Sequence, residues 1–214
     1  MNKRSPLTSL LGAFLICLLA LSVSTQVTTG TEPEVFRSMF TDILRSNKKA
    51  GGSVLVLNGC GSTINGALSA PLSGSDNDRL GQLTKNYPEY KISDRVDVPN
   101  LLPKYYLPVL LSSRIAKYEI DSDKGANDNL GRILALDELK AAVDASGLNK
   151  GMDIGIGPKS PPRKSTTKKT RMLTNVTLLE ALNEVAAFYG SAVWAYTESH
   201  CNGEIRTRIG FTRN

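Results

Sequence analysis

Histidine and tryptophan occur once each in this 214-residue chain, and cysteine three times. One imidazole and so few thiols cannot build a convincing zinc shell. No glycine-rich turn opens a helix. Gly155-Ile-Gly157 follows a strand-like stretch, but Pro158 and a basic stretch come next. A dinucleotide site needs a helix N-terminus at that point, so this class is excluded. The charge excess is small, with 26 basic and 20 acidic residues. Long apolar runs are also scarce. The single candidate, Leu7 to Val23, has about 17 residues, short of the roughly 20 that a membrane span needs.

That one run has a specific reading. Lys3 and Arg4 precede it, and the small residues Ser22 and Ser24 close it. Basic head, apolar core and small-residue exit are the parts of a secretory signal peptide, residues 1–24, cut before Thr25. Retention as an anchor is the alternative. Cys17 follows Ile16, which is not small, so a lipoprotein attachment site is not expected. Cleavage removes two cations and leaves Cys60 and Cys201. In an exported chain two cysteines are expected to pair. Their bridge would close a loop of about 140 residues, for which chain-entropy models give close to 5 kcal/mol. The expected location is periplasmic or secreted.

The strongest local pattern is the C-terminal stretch from Arg171 to Arg213, which reads strand, helix, strand, turn, strand. Thr177 and Glu180 form a T-x-x-E capping box. Leu178, Leu182, Val185 and Tyr189 recur at helical spacing, and Gly190 suits a left-handed cap. Asn202-Gly203 favours a two-residue type I′ hairpin turn. With that turn, paired residue numbers sum to 405. Trp194 then faces Phe211, Tyr196 faces Ile209 and His200 faces Ile205, all on the core side. Arg206 and Arg208 point the other way, with Thr197, Ser199 and Cys201. A one-residue slip would reverse every assignment.

The rest of the chain reads as two halves, 25–108 and 112–214. In the first half, a helix begins near Pro33 with Phe36, Phe40, Ile43 and Leu44 on one stripe. Ser53 to Leu57 is a strand buried on both faces. A short helix, 77–86, follows. Residues 90–98 form a hairpin turning at Asp94-Arg95, and 100–108 is a Pro-punctuated connector. In the second half, Arg114 to Ile120 is a strand with Ala116, Tyr118 and Ile120 alternating. A helical stretch to Ser146 shifts its stripe near Asp137, which predicts a kink or two helices. Met152 to Ile156 is a strand. The order from Arg114 is βαβ, then βαββ. The fold class is α+β, with helices packed on small sheets. With a short strand at 64–68 the first half approximates a degenerate copy of the second, but residue identity is too low to claim a duplication.

Asn175, Val176, Thr177, Leu178, Glu180, Ala181, Leu182 and Gly190 match the phrase N-V-(T/S)-L-x-E-A-L, helix, Gly. In this phrase and in element order, the second half resembles the secretin and TonB short N-terminal domain, closely over about 40 residues and loosely over about 100. The resemblance implies a periplasmic fold that docks other proteins. No channel or barrel sequence follows within these 214 residues, so channel formation is not expected.

The candidate chemistry is sparse. Lys159, Arg163, Lys164, Lys168, Lys169 and Arg171 form a basic linker with no acid and no aromatic. It could bind anionic envelope polymer or lipid, or be a solvated linker. Without aromatics it offers no base stacking, which argues against nucleic acid. Asp121, Asp123, Asn127 and Asp128 crowd one loop but miss calcium-loop offsets. Asn58-Gly-Cys60-Gly-Ser62 with His200 superficially resembles papain-like cysteine proteases. However, the thiol is not at a helix start, the following Trp is absent, and Cys201 is a better partner for Cys60.

The expectation is therefore an exported, non-enzymatic adaptor, without cofactor or metal, that binds an envelope protein. Arg206, Arg208 and the basic linker are its candidate contacts, with binding by strand addition. The alternatives are an anionic-polymer binder through 159–171 and, least favoured, a cysteine hydrolase using Cys60 and His200.

Overall fold

A computed structural model describes residues 32–58, 72–95, 98–148, 152–154 and 169–212. The first half runs α1 (Glu32–Ser46), β1 (Gly51–Asn58), α2 (Asp76–Asn86), β2 (Tyr90–Arg95) and β3 (Val98–Pro103). A short helix α3 (Val109–Ser112) leads to β4 (Arg114–Asp121), α4 (Ala126–Leu134) and α5 (Asp137–Ala145). Then follow β5 (Met152–Ile154), β6 (Thr170–Thr177), α6 (Leu178–Phe188), β7 (Val193–Cys201) and β8 (Glu204–Thr212). The class is α+β, as the sequence implies.

Six strands form one sheet in the order β2-β3-β1-β7-β8-β5. The small separate sheets expected for the two halves are therefore merged. β1 lies parallel to both β3 and β7. Its first five residues are buried, and an apolar strand buried on both faces is most stable between two neighbours. β4 and β6 stand apart as an antiparallel ribbon.

Alternation along β1 sends its two faces into different cores. Leu55 joins Phe36, Phe40 and Leu44 of α1 and Leu83 of α2. Val54 joins Trp194, Tyr196 and the apolar stripe of α6. The second core continues into α4 and into Ile115, Tyr118, Ile120 and Leu173 of the ribbon. The layers are thus α1 and α2, the sheet, the α3–α6 helices, and the ribbon.

The C-terminal hairpin follows its turn chemistry. Asn202 and Gly203 both have positive φ, 51° and 78°, which a type I′ turn requires. Trp194 pairs with Phe211, Tyr196 with Ile209 and His200 with Ile205. Thr177 Oγ1 accepts from the Glu180 amide at 3.2 Å, and Glu180 Oε2 accepts from the Thr177 amide at 2.8 Å. Gly190 has φ +80° after the helix.

Several local expectations shift. Asp94 pairs with Pro99 and Arg95 with Val98, so these two residues lie in the ladder and are not the turn of the first hairpin, and β3 takes over the start of the expected connector. The long helix is two helices, broken at Ala135 and Leu136. In β4 the buried residues are Ile115, Tyr118 and Ile120, while Ala116 is exposed. Opposite it Asn175 has φ +51°, a kink that breaks the alternation. The expected strand at 64–68 lies outside the described residues.

The acidic loop before α4 is committed to structure. Asp128 Oδ2 accepts from the Gly125 amide at 3.1 Å. Asn127 pairs both ways with the Phe211 backbone, at 3.0 and 2.8 Å, extending the edge of β8 as a strand would. Asn129 is fully buried. Its Oδ1 accepts from the Tyr118 hydroxyl at 2.7 Å, and its Nδ2 donates to the Asp121 and Gly125 carbonyls. Tyr189 closes this network from the end of α6.

Candidate functional site

Residues 104–108 leave β3 and cross β1 on the α6 side, because Tyr106 meets Glu198 of β7 two strands away. Pro103 and Pro108 bracket the crossing and limit its backbone freedom. The result is a raised apolar strip. Tyr105 is 90 % exposed, Val109 63 %, Tyr106 43 % and Leu107 37 %.

Beneath it sits a buried carboxylate. Glu198 is 3 % exposed because it shares the parity of Trp194 and Tyr196 on β7. Burial of such a group is costly unless its lone pairs are filled. Three partners fill them. The Tyr106 hydroxyl donates to Oε1 at 2.9 Å, the Tyr196 hydroxyl donates to Oε2 at 2.8 Å, and His200 Nε2 lies 2.7 Å from Oε1. The Tyr106 and His200 rings meet edge to face, with centroids 6.5 Å apart. Burial, then the hydrogen bond and charge of Glu198, push the Tyr106 phenol up to about 12. Burial followed by the Glu198 charge drives Tyr196 further upward.

The cluster lies at the carboxyl ends of the parallel strands β3, β1 and β7, where loops of open sheets bring functional groups together. A carboxylate that fixes a half-buried imidazole is part of a base-catalysis constellation. No described hydroxyl or thiol hydrogen-bonds the second ring nitrogen of His200. Through the Tyr106–Glu198 hydrogen bond the same carboxylate anchors the 105–109 strip.

The residues singled out from sequence are dispersed. Arg206 and Arg208 are exposed on the sheet face opposite Trp194, as the register implies. Arg206 Nη2 pairs with Glu204 at 3.3 Å. β5 covers β8 from Thr207 to Ile209, so this part of the β8 edge is closed to strand addition. Arg171 lies on the ribbon, beyond α6, and pairs with Glu184 at 2.8 Å. The Lys169 amide donates to Ser122 Oγ at 2.9 Å. The described basic residues thus fall on opposite sides of the sheet and form no common surface. Lys159, Arg163, Lys164 and Lys168 lie outside the described residues.

Cys201 is disulfide-bonded. Its expected partner, Cys60, lies outside the described residues. No group of three or more His, Cys, Asp or Glu among the described residues could hold a metal ion. No described helix is long and apolar enough to cross a membrane.

Sequence reasoning missed Glu198 and the 105–109 strip. The signal for Glu198 was present, since the alternation that buries Trp194 and Tyr196 buries Glu198 too. No family model matches the chain, and neither a curated protein nor a solved structure matches it.

Proposed function

We propose that this chain is an exported, non-enzymatic adaptor of the cell envelope that binds another protein through residues 105–109. The carrying observation is the strip itself: four exposed apolar side chains within five residues, held from below by Tyr106 and Glu198. Contiguous apolar surface of this kind marks interaction sites, and tyrosine is enriched among residues that dominate binding energy. The two prolines and the Glu198 anchor reduce the ordering entropy that docking would otherwise cost.

Export rests on the signal-like residues 1–24 and on the cystine at Cys201. Pairing with Cys60 is supported by register. Asn58 is the β1 partner of His200, the neighbour of Cys201, and Cys60 follows Asn58 by two residues, a reach of about 7 Å at most. The secretin and TonB resemblance points to the same envelope role. Arg206 and Arg208 would contribute at a second face. Anion binding through the basic linker is less well supported, because Arg171 is already paired with Glu184.

The test is site-specific photocrosslinking from position 107 in cells that export the protein with its own leader. A crosslinked protein that disappears with Tyr105→Ser and Val109→Ser supports the reading. An adduct that persists in that variant but vanishes with Arg206→Glu and Arg208→Glu would move the interface to the other face.

A further inference from the structure

A groove of about 930 Å³ runs between α2 and the β2-β3 edge of the sheet. It is remote in sequence from the basic linker, and only Lys104 adjoins the apolar strip. Lys49, Lys85, Lys91 and Lys104 line it, together with Asn77, Thr84 and a floor that includes Leu80 and Ile92. The four lysines come from four separate segments: the turn after α1, the last turn of α2, the edge strand β2, and the exit of β3. No aspartate or glutamate is among the described lining residues. None of the four lysines forms an ion pair among the described residues, whereas Arg79, Lys140, Arg171 and Arg206 elsewhere each have one.

Four like charges around one concavity repel each other, and an anion seated there relieves that repulsion while gaining field from all four. The shape selects among anions. Gly52 of β1 pairs with Asn100 of β3 in parallel, and Lys49 lies three residues before Gly52 whereas Lys104 lies four beyond Asn100, so these two charges stand towards opposite ends of the strands. The charges are therefore strung out along the groove and do not converge on a point, which suits a chain with repeated charges better than a single phosphate. Tyr90, though in the lining, is buried and offers no face for base stacking, which disfavours single-stranded nucleic acid. Half-buried Leu80 and Ile92 give flat apolar contact, while Asn77 and Thr84 give an amide and a hydroxyl. Alternating hydroxyls, anionic groups and apolar ring faces are the chemistry of acidic sugars. We propose that this groove binds a linear anionic polysaccharide, with one anionic group near each lysine. The assignment does not depend on the protein-docking role of the 105–109 strip, because Lys85 and Lys91 lie outside that strip.

Binding of a fluorescent oligogalacturonate to the purified protein tests this, with polyglutamate of equal charge as comparator. Binding at low salt should weaken as salt screens the lysines. Lys85→Glu with Lys91→Glu should weaken it at least about tenfold, since two surface attractions become repulsions. Lys117→Glu with Lys124→Glu, an equal change in net charge on exposed lysines outside the groove, should change it less than about twofold. Lys85→Gln with Lys91→Gln should fall between. Equal losses from both Glu pairs would show that net charge alone acts, and would overturn the proposal. Polyglutamate binding as tightly as the sugar would overturn the ligand class, and no binding at low salt would overturn the site.

Discussion

Replacing Gly52 by alanine would add one methyl group where the sheet has no room for it. Gly52 pairs with Trp194 across β1 and β7. A Cβ at Gly52 would lie 1.9 Å from Trp194 Cε2 and 2.3 Å from Nε1. The indole is fully buried and donates from Nε1 to Asn183 Oδ1 at 2.8 Å. Either the indole rotates or β1 and β7 separate. Overpacking costs about 1–3 kcal/mol. Loss of the Asn183 bond, with both groups left buried, costs about 1–3 kcal/mol more. The expected total of about 2–6 kcal/mol is a large share of a typical domain stability of about 5–15 kcal/mol. For a chain of this size it lowers Tm by roughly 5–20 °C. Trp194 is the only tryptophan, so its emission reports this site alone. Gly52→Ala should shift that emission to the red and lower the melting temperature together. Adding Trp194→Phe, which removes the clashing ring atoms, should recover part of the loss. A single variant that melts within about 2 °C of the parent with unchanged emission would refute the packing argument.

Glu198→Ala leaves the buried Tyr196 hydroxyl without its partner and should cost about 1–3 kcal/mol in chemical denaturation; an unchanged midpoint would mean that Glu198 anchors nothing. Asn129→Leu removes the buried oxygen that accepts from both the Tyr118 hydroxyl and the Asp121 amide and should cost at least about 2 kcal/mol, with a loss of amide-exchange protection in α4 that an intact network would not show. Burial raises Tyr106, Tyr118 and Tyr189 to about 12 and Tyr196 further. Because the folded values lie above the unfolded value near 10, this contribution is complete below pH 10 and is lost as pH rises from 10 towards 12. Denaturation midpoints should fall over that window while absorbance near 295 nm rises late, and tyrosines titrating together near pH 10 without loss of stability would contradict it.

Legibility in the sequence followed distance along the chain. Thr177 with Glu180, and Asn202 with Gly203, act through neighbours one to three residues away, so both the cap and the hairpin register are readable locally. The merger of the two halves is not, because β1 gives no sign of its partners beyond being apolar throughout. The Glu198 site was half legible: parity buries the carboxylate, but Tyr106 arrives from a connector 92 residues earlier. The four groove lysines make no run in the sequence, whereas the basic linker does. Attention to charge density along the chain therefore favours the linker over the groove.

The central position of β1 also sets the order in which this protein can be completed. β1 and β7 pair residues that are 142 positions apart, so an emerging chain carries β1 for most of its length before its partner exists. Through that interval one ladder of backbone donors and acceptors on an apolar strand stays open, a template for pairing with another chain. Such non-local pairing folds slowly and leaves intermediates prone to aggregate. Translation pauses or truncations before Val193 should therefore be more damaging than equal losses upstream of β1, and a holding chaperone acting on the first half should raise the yield of folded protein.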